Sequence, residues 1–373
     1  MHQYFEGATR QLEGRVRHLI GTIPRNLDRD LDALIDRCRE RLGQVAQGFA
    51  DIRENSDFKL PQNQGVRLRI FRRLVTELDQ LESIPVAALR RWSDADGSLN
   101  RLIEKISREI SYPLTTPVVS AMSQSYYHIY PRFNLVLVPP AEGLFLLHLP
   151  DLYHELAHPL LESLKDPKIE PLQKAQFEAL TKALEYVDGE ERKQHGRVVP
   201  NGLIVQLRSW SNCWDSWITE LFCDLYAVYT LGPAYAWAHY HLCATRGGDP
   251  FQVPTLGTIT HPADAARMQV QLAGLVLLGF TTESVKIEAS WRKLLATNGD
   301  VQTSDFNRCF PDALLSEITS IAFRGMEAIS CRRAISSTND EVHVTLNEAW
   351  RQFWGKPVEY PDWETTAASK LGL

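Results

Sequence analysis

Residues 152–162 read LYHELAHPLLE, and inside that stretch His154 and His158 stand four apart, with Glu155 directly after the first. On an α-helix, positions i and i+4 share a face, so the two imidazoles can offer nitrogens to a single ion. Glu155 is one step round the helix. It is out of the ligand line but within reach of a water activated by that ion, from which a carboxylate can take a proton. Pro159 follows at once. It removes the amide that would bond the Glu155 carbonyl, and in mid-helix this costs about 3 kcal/mol. It also biases His158 away from ideal helical angles. The turn carrying the three chemical residues is complete before the proline, so the expectation is a ligand pair followed by a kink that redirects the chain.

A third ligand is needed, and a carboxylate on a second helix is the usual one. Residues 207–231 predict a strong helix, with Trp210, Trp214, Trp217 and Leu221 at helical spacing and Gly232-Pro233 as its stop. Glu220 and Asp224 lie four apart on it, flanked by Leu221, Phe222, Cys223 and Leu225. Two acids on one face of so apolar a helix need a buried partner, and a metal supplies one. Glu220 is expected to ligate. Asp224 is expected to accept a hydrogen bond from the second nitrogen of a ligating histidine, which fixes its tautomer and raises its basicity.

HExxH followed at long range by ExxxDxxA resembles the gluzincin pattern, here His154-Glu-Leu-Ala-His158 and Glu220-Leu-Phe-Cys-Asp224-Leu-Tyr-Ala227. Further on, His261-Pro-Ala-Asp-Ala-Ala-Arg267 is similar to the corresponding segment of Ste24/HtpX-type peptidases, the small gluzincins (minigluzincins). The resemblance covers residues 125–275. It implies Zn2+ on His154, His158 and Glu220, Glu155 as general base, and Asp224 as orienter of a ligand. It also implies His261 near the open coordination position, as oxyanion donor or occluding ligand, and Arg267 as anchor of that segment. Tyr226 and Tyr229 are alternative donors. Many relatives carry membrane helices; the longest apolar runs here, around Leu275–Phe280, fall short of the roughly 20 residues a span requires.

These residues must be positioned by helices. In the N-terminal region Leu27, Leu31, Leu34, Cys38, Leu42, Val45, Phe49 and Ile52 recur three and four apart, a stripe that one helix buries against others. Polar residues 57–65 form a link, and helices are expected near Val66–Leu81 and Ser98–Ile110. Pro113 and Pro117 change the texture, and YYHIYPRFNLVLV at 126–138 predicts one or two strands, the better at Phe133–Val138. The strand is expected beside the motif helix, along a substrate cleft. Residues 163–200 are poorly patterned and suggest a helix pair with a flexible turn. Helices are expected again at 234–245, at 262–280 and through most of the tail from Ser304.

Composition sets the outer limits. The chain has 373 residues, 44% hydrophobic and 23% charged, with a net charge of -6, enough for a large core and two or three subdomains. A pI of about 6.0 gives no basic face for nucleic acid. The N-terminus shows no signal region. Six cysteines form no CxxC pair and none stands at ligand spacing to the motif, so they read as reduced core thiols in a cytoplasmic protein.

The expected fold is mainly α with a small β-sheet (α+β). It has a helical N-terminal region at 1–112, a zincin-like core at 113–290 and a helical C-terminal region at 291–373. The expected activity is zinc-dependent endopeptidase hydrolysis of a protein or peptide substrate, gated by the helical extensions. A regulatory partner, or self-association through the N-terminal helices, would be its further contact. The alternative is a helical regulatory or interaction protein whose zinc site is structural or catalytically silent.

Overall fold

The N-terminal stripe forms a helix and is buried. The computed structural model describes residues 2–24, 31–123, 126–140, 145–162, 166–194 and 201–373. Helix α1 (His2–Thr22) is followed by α2 (Asp32–Glu54) and α3 (Gln64–Leu81). From Leu31 to Ile52 every stripe position is buried, packed with Phe5, Val16 and Leu19 of α1 and Phe71, Leu74 and Leu78 of α3; Leu27 lies outside the described residues. Where α2 meets α3, a Cβ on Gly48 would come within 2.8 Å of Leu74 Cδ1, so that side chain would have to shift. A π-helical turn at Glu82–Val86, with Pro85 inside it, leads into α4 (Ala87–Arg90) and then α5 (Asp94–Glu109).

Three short strands follow: β1 (Val118–Ser120), β2 (His128–Tyr130) and β3 (Leu135–Leu137). The order is β1-β3-β2, with β1 parallel and β2 antiparallel to β3. The expected strand at 133–138 is β3, and β1 was not anticipated. Its backbone is held by a side chain, since the Asn100 amide both accepts from Val119 N (2.9 Å) and donates to Val119 O (2.6 Å).

The chain divides into two compact units, Met1–Asn100 with Pro117–Val138, and Arg101–Thr116 with Pro139–Leu373. This differs from the three-part division expected at 112 and 290. The strands group with the N-terminal helices because Val118, Phe133, Leu135 and Leu137 share their core. Residues 291–373 group with the motif-bearing part, because the N-terminal amides of Val342 and His343 donate to Glu109, and Asn347 bonds Leu231 O and Ala234 N.

The second unit is built around α8 (Asn201–Leu231), against which α6 (Asp151–Glu162), α7 (Glu170–Gln194), α9 (Pro233–Arg246), α10 (Asp264–Leu277) and α13 (Asp312–Ala328) pack. The helices α11 (Thr281–Asn298), α12 (Ser304–Cys309), α14 (Glu341–Gly355) and α15 (Tyr360–Leu371) complete it. In place of a helix pair, 170–194 is a single helix. Its apolar stripe is Leu172, Ala175, Ala179, Ala183 and Val187, all buried, and the small residues let α13 approach so closely that a Cβ on Gly325 would meet Ala175 Cβ at 2.7 Å. That packing carries the helix through Asp188-Gly189. Among the described residues no helix is long and apolar enough to cross a membrane.

If the α2 stripe is an intrachain core, Phe49→Ala should cost about 3–5 kcal/mol in chemical denaturation. The loss should not depend on protein concentration. A loss under 1 kcal/mol, or one that varies with concentration, would mean that the stripe pairs between copies instead.

Candidate metal centre

The motif helix α6 begins at Asp151 after successive turns at 148–153 and contains Pro159 without ending there. Leu156, Leu160 and Leu161 are buried on either side of the proline, and this burial offsets its lost hydrogen bond. The helix does not end at Pro159 but runs on to Glu162. That last turn brings Glu162 Oε1 to 3.0 Å from His158 Nδ1.

His154 is held more firmly. Its Nδ1 is 2.9 Å from Asp224 Oδ1 and 3.0 Å from the Tyr235 hydroxyl. With both Nδ1 atoms turned to carboxylates, the Nε2 atoms face the other way, toward Glu220. His154 Nε2 lies 3.4 Å from Glu220 Oε2, and His158 Nε2 lies 3.9 Å from Glu220 Oε1. Glu155 stands beside them on α6, buried with 7% of its surface exposed.

Asp224 is the fixed point of the group. It is wholly buried, yet Arg267 Nε and Nη2 each donate to it at 2.7 Å and the Tyr235 hydroxyl donates at 2.5 Å. Tyr235 reaches it because Gly232, at φ 79°, turns the chain from α8 straight into α9, with Pro233 at the first helical position. A Cβ on Gly232 would also sit 3.2 Å from Phe280. Burial would push the Asp224 carboxyl up, but the Arg267 guanidinium outweighs it and holds the carboxyl well below its usual range.

Burial likewise lowers His154, but its hydrogen bonds to Asp224 and Glu220 override this and raise it to about 10. Burial opposes ionisation of Glu220, whose contact with His154 nevertheless brings it down to about 2. Without a metal, His154 is therefore an imidazolium between two carboxylates.

His261 sits at the mouth, 63% of its side chain exposed, with Nε2 3.7 Å from Glu220 Oε2 and Nδ1 2.9 Å from Thr260 Oγ1. Its loop is tied to α8 by the tryptophan stripe. Trp210 Nε1 donates to Pro254 O and Trp217 Nε1 to Ile259 O, both at 3.0 Å. The stripe is core, as its spacing implied, and it also positions the His261 segment.

Of the nine residues singled out in the sequence, His154, Glu155, His158, Glu220, Asp224, His261 and Arg267 thus meet in one place. Tyr226 and Tyr229 do not act there: the Tyr226 hydroxyl lies against Cys331, and the Tyr229 ring packs on Phe323. The tyrosine at the site is Tyr235. Nor are the cysteines uniformly remote, as their spacing suggested. Ligand atoms of His154, His158 and Cys223 lie within 4.8 Å of one another. Burial first, then Glu220 and Asp224, push the Cys223 thiol well up, which keeps it protonated beside an ionised Glu220. Glu162 was visible in the sequence, four residues after His158. Tyr235 carried no local signal, because its place depends on the Gly232 turn. Two sizeable cavities, about 860 and 730 Å³, lie elsewhere, and neither is lined by these residues.

Comparison of the chain with family models, with curated proteins and with solved structures gave no match.

Asp224→Ala should weaken zinc affinity about 10–100-fold, read by competition with a chromophoric chelator. It should also cost about 3–5 kcal/mol in denaturation, because Arg267 is left buried and unpaired. Unchanged affinity would make Asp224 a purely structural acid. In the metal-free chain the raised His154 contributes stability that is full below pH 6.5 and lost as pH rises through about 10. The depressed Glu220 contributes stability above pH 4.5 that is lost as pH falls through about 2. The destabilisation caused by His154→Phe should therefore be largest between pH 4.5 and 6.5, and a pH-independent difference would count against the ion pair.

Proposed function

We propose that the chain is a cytoplasmic zinc-dependent endopeptidase of the gluzincin type, with a centre like that of the Ste24/HtpX-type peptidases. The observation that carries this reading is the convergence of His154 Nε2, His158 Nε2 and the Glu220 carboxylate at 3.4 and 3.9 Å, with each Nδ1 held by a carboxylate. Donors bound to a tetrahedral zinc at about 2.0–2.2 Å stand roughly 3.3–3.6 Å apart, so the donor set fits the ion with little adjustment. Six free thiols are what a reducing compartment leaves.

Zinc held by His154, His158 and Glu220 would act as a Lewis acid on a peptide carbonyl and lower the pKa of a water. Glu155, buried beside these ligands on α6, would be the base that takes a proton from water and hands it to the leaving amine. Asp224 and Glu162 hold the ligating rings in one tautomer each. His261 has two settings. When the Thr260 hydroxyl donates to Nδ1, the proton is on Nε2, which faces the cluster as a donor to the developing oxyanion. When Nδ1 donates to Thr260, Nε2 is a free ligand that would occlude the site. Hydrolysis needs a partner for the new charge, which favours the first setting.

Cys223 gives a second reading its footing. A thiolate added to two histidines and Glu220 makes a closed, four-donor structural site without an open position. Glu220 is preferred as third ligand because it is already ionised, whereas the thiol is not.

The test is zinc content together with peptidase activity on unfolded proteins and peptide libraries, with and without chelator. His154→Ala and Glu220→Ala should lose zinc, and Glu155→Gln should keep zinc and lose activity. Cys223→Ser should keep both. Zinc retained in Glu220→Ala but lost in Cys223→Ser would sink the peptidase reading in favour of a structural site. His261→Ala should lower the rate about 100- to 1000-fold with zinc still bound. A rise in rate would make His261 an occluding ligand, and no change would remove it from the site.

A further inference from the structure

The helix faces that clamp Asp224 carry a second constellation one turn further on. Tyr235, His239 and Cys243 follow at i, i+4 and i+8 along α9, and so share one face. On α10, Asp264 stands three residues before Arg267. Tyr235 and Arg267 bind Asp224. The remaining three residues, His239, Cys243 and Asp264, bring one ligand atom each within 4.8 Å of one another. His239 Nε2 is 3.8 Å from Cys243 Sγ and 3.2 Å from the Asp264 carbonyl oxygen.

Two further observations distinguish this cluster from an ordinary polar contact. On the side of the cluster away from His239, a cavity of about 10 Å³ is lined by Cys243, Asp264 and Asp300, room for about one water or ion. Asp300 Oδ2 is buried and has no hydrogen-bond partner. Its position follows from the left-handed Gly299 that ends α11.

We propose that His239, Cys243 and Asp264, with Asp300 at hand as fourth donor, bind a structural zinc ion. Imidazole, thiolate and carboxylate together suit zinc better than the hard cations, which take oxygen donors. His239 is 2% exposed. Its Nε2 donates to the Asp264 carbonyl oxygen in the metal-free chain, and that proton would move to Nδ1 when a metal takes Nε2. The Cys243 thiol would give its proton to solvent on binding. An ion here would fasten the end of α9 to the start of α10, and so fix the spacing of Tyr235 and Arg267 around Asp224. The inference stands whether or not His154 and His158 serve a peptidase.

The full chain, stripped with chelator, would be titrated with Zn2+ and with Co2+. Two equivalents should bind, and the cobalt form should show thiolate-to-metal charge-transfer absorption in the near ultraviolet. Cys243→Ser should lower the stoichiometry from two to one and remove that absorption. The isosteric Asp264→Asn should weaken the same equivalent, which guards against a fold defect in one variant. His154→Ala should lose the other equivalent and keep the absorption, so failure of the His154 site reads differently from failure of this one. The proposal is overturned if Cys243→Ser leaves stoichiometry and spectrum unchanged, if no thiolate band forms, or if the band disappears in Cys223→Ser instead.

Discussion

A fully buried carboxylate with nowhere to send its charge organises the second unit. Asp224 has no exposed surface, and an unpaired carboxylate there would be very costly. It is tolerated because three donors from three other helices meet it: His154 of α6, Tyr235 of α9 and Arg267 of α10. Each of those contacts also sets a direction. The Asp224–His154 bond turns Nε2 toward Glu220, and the Arg267 bond fixes the first turn of α10. Buried ion pairs are weak evidence for stability, but they are strong constraints on geometry, because removing any one partner strands the others. What looks like a list of site residues is thus one electrostatic knot tied through four helices.

The site was largely legible because its chemistry is written in helical periodicity. His154 with His158, and Glu220 with Asp224, are i, i+4 pairs, and that spacing survives any packing that keeps the helices intact. Glu162 belongs to the same class, four residues after His158 across Pro159. A proline in the last turn of a helix loses one bond, and Leu160 and Leu161 bury enough surface to hold the turn. Tyr235 and Cys223 were beyond reach for a different reason. Their roles depend on how α8 packs against α6 and turns into α9, which no one-dimensional pattern encodes.

The fold was legible wherever large apolar residues repeat. The stripe from Leu31 to Ile52 is buried throughout, and α3 and α8 fall close to their expected places. It was illegible where small residues do the packing. In α7 the buried face is mostly alanine, which carries little hydrophobic signal, yet alanine opposite Gly325 is what permits close approach. The strands failed in a subtler way. Composition announced β3 but not β1, whose backbone is held by Asn100, a helix side chain that bonds it in the manner of a neighbouring strand.

The protonation of His154 connects these constraints to chemistry. In the metal-free chain its Nδ1 proton is held by Asp224 and its Nε2 proton faces Glu220, and the pair is mutually stabilised, the histidine raised to about 10 and the glutamate lowered to about 2. A divalent cation placed among the same atoms would replace that proton on the Nε2 side while leaving the Nδ1 bond to Asp224 intact. If the site takes a metal as proposed, the proton keeps the ligands gathered beforehand, and metal and proton would compete for one position in a scaffold that Arg267 and Tyr235 already set around Asp224.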